Sequence, residues 1–154
     1  MSDNPTSTSI ELIQHLRTAV RGRVIGPGDS EYDEARAVFL TGIDSRPMAI
    51  VRVADAADVV RVLEVARETG LPLAVRGGGH SLAGHGVVEG GIVLDLAAMR
   101  RLEIDAAERT AWAEAGLTAG EYTKAAAEHG LATGFGDTST VGIGGITLAG
   151  GVGF

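Results

Sequence analysis

The sequence predicts an α+β fold, and three observations carry that reading. Strand-like and helix-like segments alternate between residues 48 and 75, a pair of short strand-like runs follows at 102–114, and glycine gathers in two clusters at 77–91 and 130–153. Clustered glycine points to backbone brought close to a ligand.

Ile10, Ile13, Leu16 and Val20 recur at helical spacing, which predicts a short amphipathic helix over residues 9–20 after a polar, disordered tail, with His15 facing solvent. Gly26-Pro27-Gly28-Asp29 is a turn, and Asp29 or Ser30 is placed to cap a helical turn through Glu31–Arg36. After an irregular connection through Arg46-Pro47, Met48–Val53 reads as a buried strand. Asp55 then caps a helix running to about Thr69, with Val59, Leu63 and Ala66 facing a core; Gly70 ends it, and Leu71–Val75 is the next strand. This βαβ pattern implies parallel strands and a right-handed crossover. The glycines follow the second strand, whereas the dinucleotide fingerprint has them between the first strand and its helix, so a standard Rossmann domain is disfavoured.

Gly91–Leu96 reads as a further strand, and Leu102–Asp105 pairs with Thr110–Glu114 as a hairpin across Ala106-Ala107-Glu108-Arg109. Thr118 and Glu121 have capping-box spacing for a helix that ends near His129-Gly130, where His129 suits the helix dipole. The stretch from Gly134 to Phe154 holds eight glycines and few charges.

The 154 residues suffice for one module, and 45% hydrophobic with 21% charged residues describe a globular chain. With 20 acidic and 13 basic residues the formal charge is -7, and no run of Lys or Arg supplies the footprint of a nucleic-acid binder. Zero cysteines exclude disulfides, thiolate metal sites and a cysteinyl nucleophile, and they fit a cytoplasmic protein. No signal peptide, lipidation motif or membrane span is recognisable. His80 and His85 lie five apart with Glu89 as the one nearby carboxylate, a poor pattern for a metal site.

Two stretches are candidates for chemistry. Pro72–Val75 feeds directly into Arg76-Gly77-Gly78-Gly79-His80-Ser81, where three successive glycines allow backbone N–H groups to converge as an anion nest suited to a pyrophosphate, with Arg76 and the Ser81 hydroxyl as helpers. The spacing fits equally a glycine-rich turn in which His80 is merely hydrogen-bonded. In the second stretch, Thr138-Ser139-Thr140-Val141-Gly142 runs on through Gly144-Gly145 to Gly150. Its hydroxyls and accessible backbone suit the edge of a planar heterocycle, while alone it reads as a close-packed turn and small-residue helix. Together the two imply a large nucleotide cofactor.

On these residues the segment Met48–Phe154, about two-thirds of the chain, resembles the FAD-binding domain of the vanillyl-alcohol oxidase and p-cresol methylhydroxylase superfamily, most closely the berberine bridge enzyme-like oxidases. The resemblance implies a PCMH-type domain of two small βα subdomains over residues 48–154, incomplete at its C-terminus, behind an N-terminal helical extension at 1–47. It implies FAD as cofactor, bound by Arg76, Gly77, Gly78, Gly79, His80, Ser81, Thr138, Ser139, Val141, Gly142, Gly144, Gly145 and Gly150. It further implies that a ring nitrogen of His80 is joined to the 8-methyl carbon of the isoalloxazine, a bond that tends to raise the flavin's reduction potential.

Many relatives of that kind form a second flavin bond from a cysteine in a Cys-Pro-Thr-Val-Gly segment; Thr138-Ser139-Thr140-Val141-Gly142 stands here, so one covalent link is expected. The valine matching Val141 is associated with space for dioxygen and hence with oxidase behaviour. The implied reaction is hydride transfer from an alcohol or related carbon centre of a small-molecule substrate, with reoxidation by dioxygen. The alternatives are a dehydrogenase using another acceptor and a truncated FAD-binding module without turnover. Neither Tyr32 nor Tyr122 matches the family's tyrosine base, so no catalytic base is assigned. If the chain is a whole molecule, exposed apolar surface should favour weak FAD binding or self-association.

Overall fold

A computed structural model describes residues 5–153; the first part of the expected tail, residues 1–4, and Phe154 lie outside the described residues. The first helix, α1, covers Pro5–Ala19 and so begins earlier than the apolar spacing alone suggests, with proline in the first turn, where its missing N–H costs nothing. Leu12, Leu16 and Val20 form its buried stripe, Ile13 packs beside them, and Ile10 is exposed.

Four strands make the main sheet: β1 (Arg23–Ile25), β2 (Ala49–Arg52), β3 (Leu73–Arg76) and β4 (Ile92–Asp95), in the spatial order β1-β2-β4-β3. β1 is antiparallel to β2, whereas β4 is parallel to both of its neighbours. The strands on either side of the α3 helix (Ala56–Thr69) therefore run in the same direction, as expected, but β4 is inserted between them. Burial explains the order. All four residues of β4 are buried, which suits the centre of a sheet covered on both faces, while β3 exposes Val75 at an edge. Alternate side chains feed two cores. Ala49, Val51, Ile92 and Leu94 pack with α1 and α3, and Ile50 and Val93 pack on the opposite face with Tyr32 and Ala35 of the short helix α2 (Tyr32–Arg36).

Local signals at α3 operate as expected: the Asp55 side chain accepts from Asp58 N, and Gly70 closes the helix at φ 67. The inward face is Val62, Val65 and Ala66 with Val59 half-buried, while Leu63 is 47% exposed. At α2 the anticipated cap is not made. Asp29 accepts from Gly26 N and Arg17 instead, closing the turn ahead of the helix, and the N-cap position falls to Glu31.

Asp58 ties the N-terminal segment to this scaffold. It is 2% exposed, and its carboxylate accepts from the backbone N–H groups of Arg21, Gly22 and Ala54. Burial pushes its pKa up, but the bonds from Arg21, Ala54 and Gly22 outweigh that, and the carboxyl sits below its ordinary value. A depressed carboxyl contributes stability above about pH 4 that is lost as pH falls through the folded-state value. Thermal melts should show stability declining on acidification, and Asp58→Asn should cost about 2–4 kcal/mol at neutral pH while flattening that dependence; unchanged melting at both pH values would refute the assignment.

Beyond the sheet, β5 (Leu102–Asp105) and β6 (Thr110–Ala113) form the expected antiparallel hairpin, with Arg109 at φ 54 in its turn. Helix α4 (Ala119–Ala127) starts with the reciprocal Thr118–Glu121 capping box, and α5 (Ile143–Ala149) is the small-residue helix. Among the described residues no helix is long and apolar enough to cross a membrane.

Candidate functional site

The three parallel strands end level with one another, which places Arg52, Asp95 and Arg76 side by side in register. Asp95 Oδ2 accepts from Arg76 Nη2 at 2.9 Å and from Arg52 Nε at 3.2 Å, and its Oδ1 accepts from Ala97 N at 3.0 Å. Two guanidinium groups around one carboxylate leave an excess of positive charge at the carboxyl ends of the strands, where open α/β sheets bind ligands. Arg76 is 6% exposed, and its Nη1 has no hydrogen-bond partner among the described residues. A buried guanidinium with a spare donor is costly unless a ligand uses it.

Directly after Arg76 the chain enters residues 77–91, which join parallel strands β3 and β4 without an intervening helix. Gly79 and Gly84 adopt φ 72 and 77, conformations that glycine alone reaches without strain. The loop meets the second glycine stretch backbone to backbone. A Cβ on Gly78 would lie 2.3 Å from Gly142 N and 2.8 Å from Thr140 O, and one on Gly142 would lie 2.3 Å from Gly78 N. The second stretch is held by Ala119 N bonding to Val141 O at 2.8 Å, Ile143 N to Leu117 O at 2.9 Å, and a bridge between Thr118 and Gly142.

Their meeting forms the floor of a cavity of about 650 Å³. Arg76, Gly77, Gly78, Gly79, His80 and Ser81 line it from one side; Thr138, Val141, Gly142, Gly145 and Gly150 line it from the other, with Phe39, Phe135 and Ile146 supplying apolar surface. A second cavity of about 610 Å³ shares the Gly77–His80 loop and adds Arg52, Asp95, Glu31, Glu34 and Thr140. The loop thus serves as a wall common to an apolar and a charged chamber. Two of the expected residues stand behind the wall: Ser139 packs against Gly120 and Gly144 against Ala115. The Ser81 hydroxyl oxygen accepts from His85 N at 3.2 Å, which leaves its hydrogen available to a ligand.

His80 is held on two sides. Its Nε2 lies 2.9 Å from Thr140 Oγ1, and its ring stacks on Phe39 with centroids 4.3 Å apart and planes 20° from parallel. Phe39 N also donates to Gly79 O at 3.1 Å. Sequence reasoning overlooked Phe39, Arg52 and Asp95 as parts of the site, and it placed Thr140 in the second stretch without pairing it with His80. The signal available was faint: Phe39 is one of three phenylalanines, and Arg52 and Asp95 each close a buried strand with a charge.

The FAD binding domain family matches residues 47–154. The chain is 39% identical to the (R)-6-hydroxynicotine oxidase of Paenarthrobacter nicotinovorans over 136 residues, 88% of this chain and 30% of the relative. It is also 39% identical to an uncharacterized FAD-linked oxidoreductase of Bacillus subtilis (strain 168), over 88% of this chain and 31% of that one. Among solved structures, 6-hydroxy-D-nicotine oxidase from Arthrobacter nicotinovorans superposes with a TM-score of 0.85 at 39% identity, covering 88% of this chain and 30% of that one. The BBE-like 1 protein of Physcomitrella patens gives 0.84 at 32% identity, covering 93% and 31%. The chain spans about 30% of the length of these relatives.

The residues present fit the cofactor these names carry. Arg76 Nη1 is an unspent buried donor, and the loop glycines expose backbone suited to phosphate. Gly145, inside α5, lines the apolar cavity, and the position of a Cβ there is open space. With the matched region, the identities and this cradle in agreement, the chain belongs to the FAD-binding domain family, with FAD as its cofactor.

Proposed function

We propose that this chain supplies the FAD-holding part of an FAD-linked oxidase acting on an alcohol or related carbon centre of a small-molecule substrate, with His80 as its covalent link to the flavin. The observation that carries the reading is the contact of the two glycine stretches at Gly78 and Gly142, which sets His80 on the wall of an apolar cavity beside a charged one. FAD, when bound, supplies the two-electron acceptor for a hydride and is returned to its oxidised form by dioxygen.

The chain's own residues bind and orient. Arg76, with Arg52 beside it, and the N–H groups of Gly77–Gly79 would hold the pyrophosphate; Phe135, Val141 and Ile146 would give the flat ring apolar contact, and the backbone at Gly142 and Gly145 would meet its polar edge. Residues 48–154 form the FAD-binding unit in this reading, and the extension at 1–47 contributes the edge strand β1, helix α1 and the Phe39 ring. The oxidase names of relatives and the modest size of Val141 favour dioxygen as acceptor. The absence of cysteine suits a cytoplasmic setting, and the exposure of Trp112, Leu148 and Val152 supports self-association of the isolated chain.

Stopped-flow mixing of the FAD-loaded oxidase that contains this chain with a panel of alcohols under nitrogen, followed by exposure to air, tests the reading. Bleaching of the flavin band by at least one substrate, and its return in air with hydrogen peroxide, is the expected result. Rapid return only with an artificial acceptor would make the protein a dehydrogenase, and tight FAD binding without any bleaching would make it a binding module.

A further inference from the structure

We propose that Thr140 is the positioning residue for flavin attachment: it holds His80 Nε2 as the protonated ring nitrogen and so leaves Nδ1 as the nucleophile. The inference rests on His80 being the covalent link and goes one step beyond it. Nε2 lies 2.9 Å from Thr140 Oγ1, and Nδ1 makes no hydrogen bond among the described residues. The Phe39 face, 4.3 Å from the imidazole, fixes the plane of the ring, so the hydrogen bond at Nε2 determines where Nδ1 is directed. Phe39 belongs to the segment ahead of the matched region at 47–154, and the Gly79 carbonyl anchors it by its backbone N–H.

A hydroxyl suits this position because it both accepts and donates. In the neutral ring with hydrogen on Nε2, Thr140 Oγ1 accepts that hydrogen and the lone pair resides on Nδ1. Attachment forms a bond from Nδ1 to the 8-methyl carbon, which gives up one hydrogen, while the ring loses its Nε2 hydrogen. The two protons and two electrons released pass to dioxygen as hydrogen peroxide. In the alkylated neutral ring Nε2 carries a lone pair, and the same hydroxyl turns to donate to it. Thr140 therefore serves the ring before and after the bond forms, whereas an isosteric valine serves neither state.

The test uses the protein expressed without flavin and then mixed with FAD in air, with covalent incorporation followed by intact mass and non-covalent affinity by fluorescence quenching. Thr140→Val should slow incorporation by about tenfold, the scale of one hydrogen bond, with affinity changed far less; Thr140→Ser should restore most of the rate. The 15N shifts of the His80 ring in the flavin-free protein should report hydrogen on Nε2, a readout that needs no variant. Equal rates for wild type and Thr140→Val, or hydrogen on Nδ1 in the wild type, would overturn the proposal while leaving the covalent link intact. A wild type that binds FAD with no mass increment would instead overturn the covalent link, and this proposal with it.

Discussion

His80→Ala protein is expected to bind FAD and to release all of it on acid precipitation, whereas the wild type keeps its colour on the denatured chain. The chain has no cysteine, so no thioether can take over, and loss of the imidazole removes the single proposed tether. The pocket itself should survive. Gly77–Gly79, the Arg52–Asp95–Arg76 group and the apolar wall around Val141 and Ile146 are untouched, and His80 contributes one hydrogen bond and one stack, both at the cavity surface. The fold should lose no more than about 1 kcal/mol. Intact mass and fluorescence of the acid supernatant measure the outcome, and flavin that stays bound to the variant would assign the link to another residue.

Gly78→Ala is expected to damage both site and fold, because its new methyl would lie 2.3 Å from Gly142 N and 2.8 Å from Thr140 O. Both are backbone atoms of a segment pinned by Ala119, Leu117 and the capped start of α4, so no side chain can swing aside. Overpacking of this kind costs about 2–3 kcal/mol, and separation of the two loops should weaken FAD binding roughly a hundredfold. Gly142→Ala approaches the same contact from the other side, so the double variant should cost clearly less than the sum of the singles. Gly42→Ala is the control, since nothing lies within 4 Å of a Cβ there and its melting should match wild type. Calorimetry with FAD titration separates the cases, and a Gly78→Ala protein with wild-type melting and affinity would contradict the rigidity of this contact.

Elements whose signals are local in sequence were legible. Asp55 and Gly70 bracket α3 as read, Thr118 and Glu121 form their capping box, and the 102–114 hairpin has its expected partners. Both glycine stretches and most of the cavity's walls were equally visible, because glycine in series declares itself without knowledge of the fold. The insertion of β4 between β2 and β3 was not legible, since the pairing of strands is a tertiary choice and all three segments are apolar runs that end in a charge. For the same reason Asp95 could not be matched with Arg52, 43 residues away, nor Thr140 with His80, 60 residues away. The helical period at α1 pointed to Ile10, but the buried stripe is rotated to include Leu12, because the direction of burial depends on what the helix meets.

β3 and β4 are parallel neighbours joined by residues 77–91 alone. Parallel neighbours need a long return path, normally a helix that can form early and by itself. Here the return path is the glycine-rich loop itself, so residues that carry the chain from β3 to β4 also line the cavity. A change in the length of this loop therefore bears on the pairing of β4 as well as on the walls of the cavity.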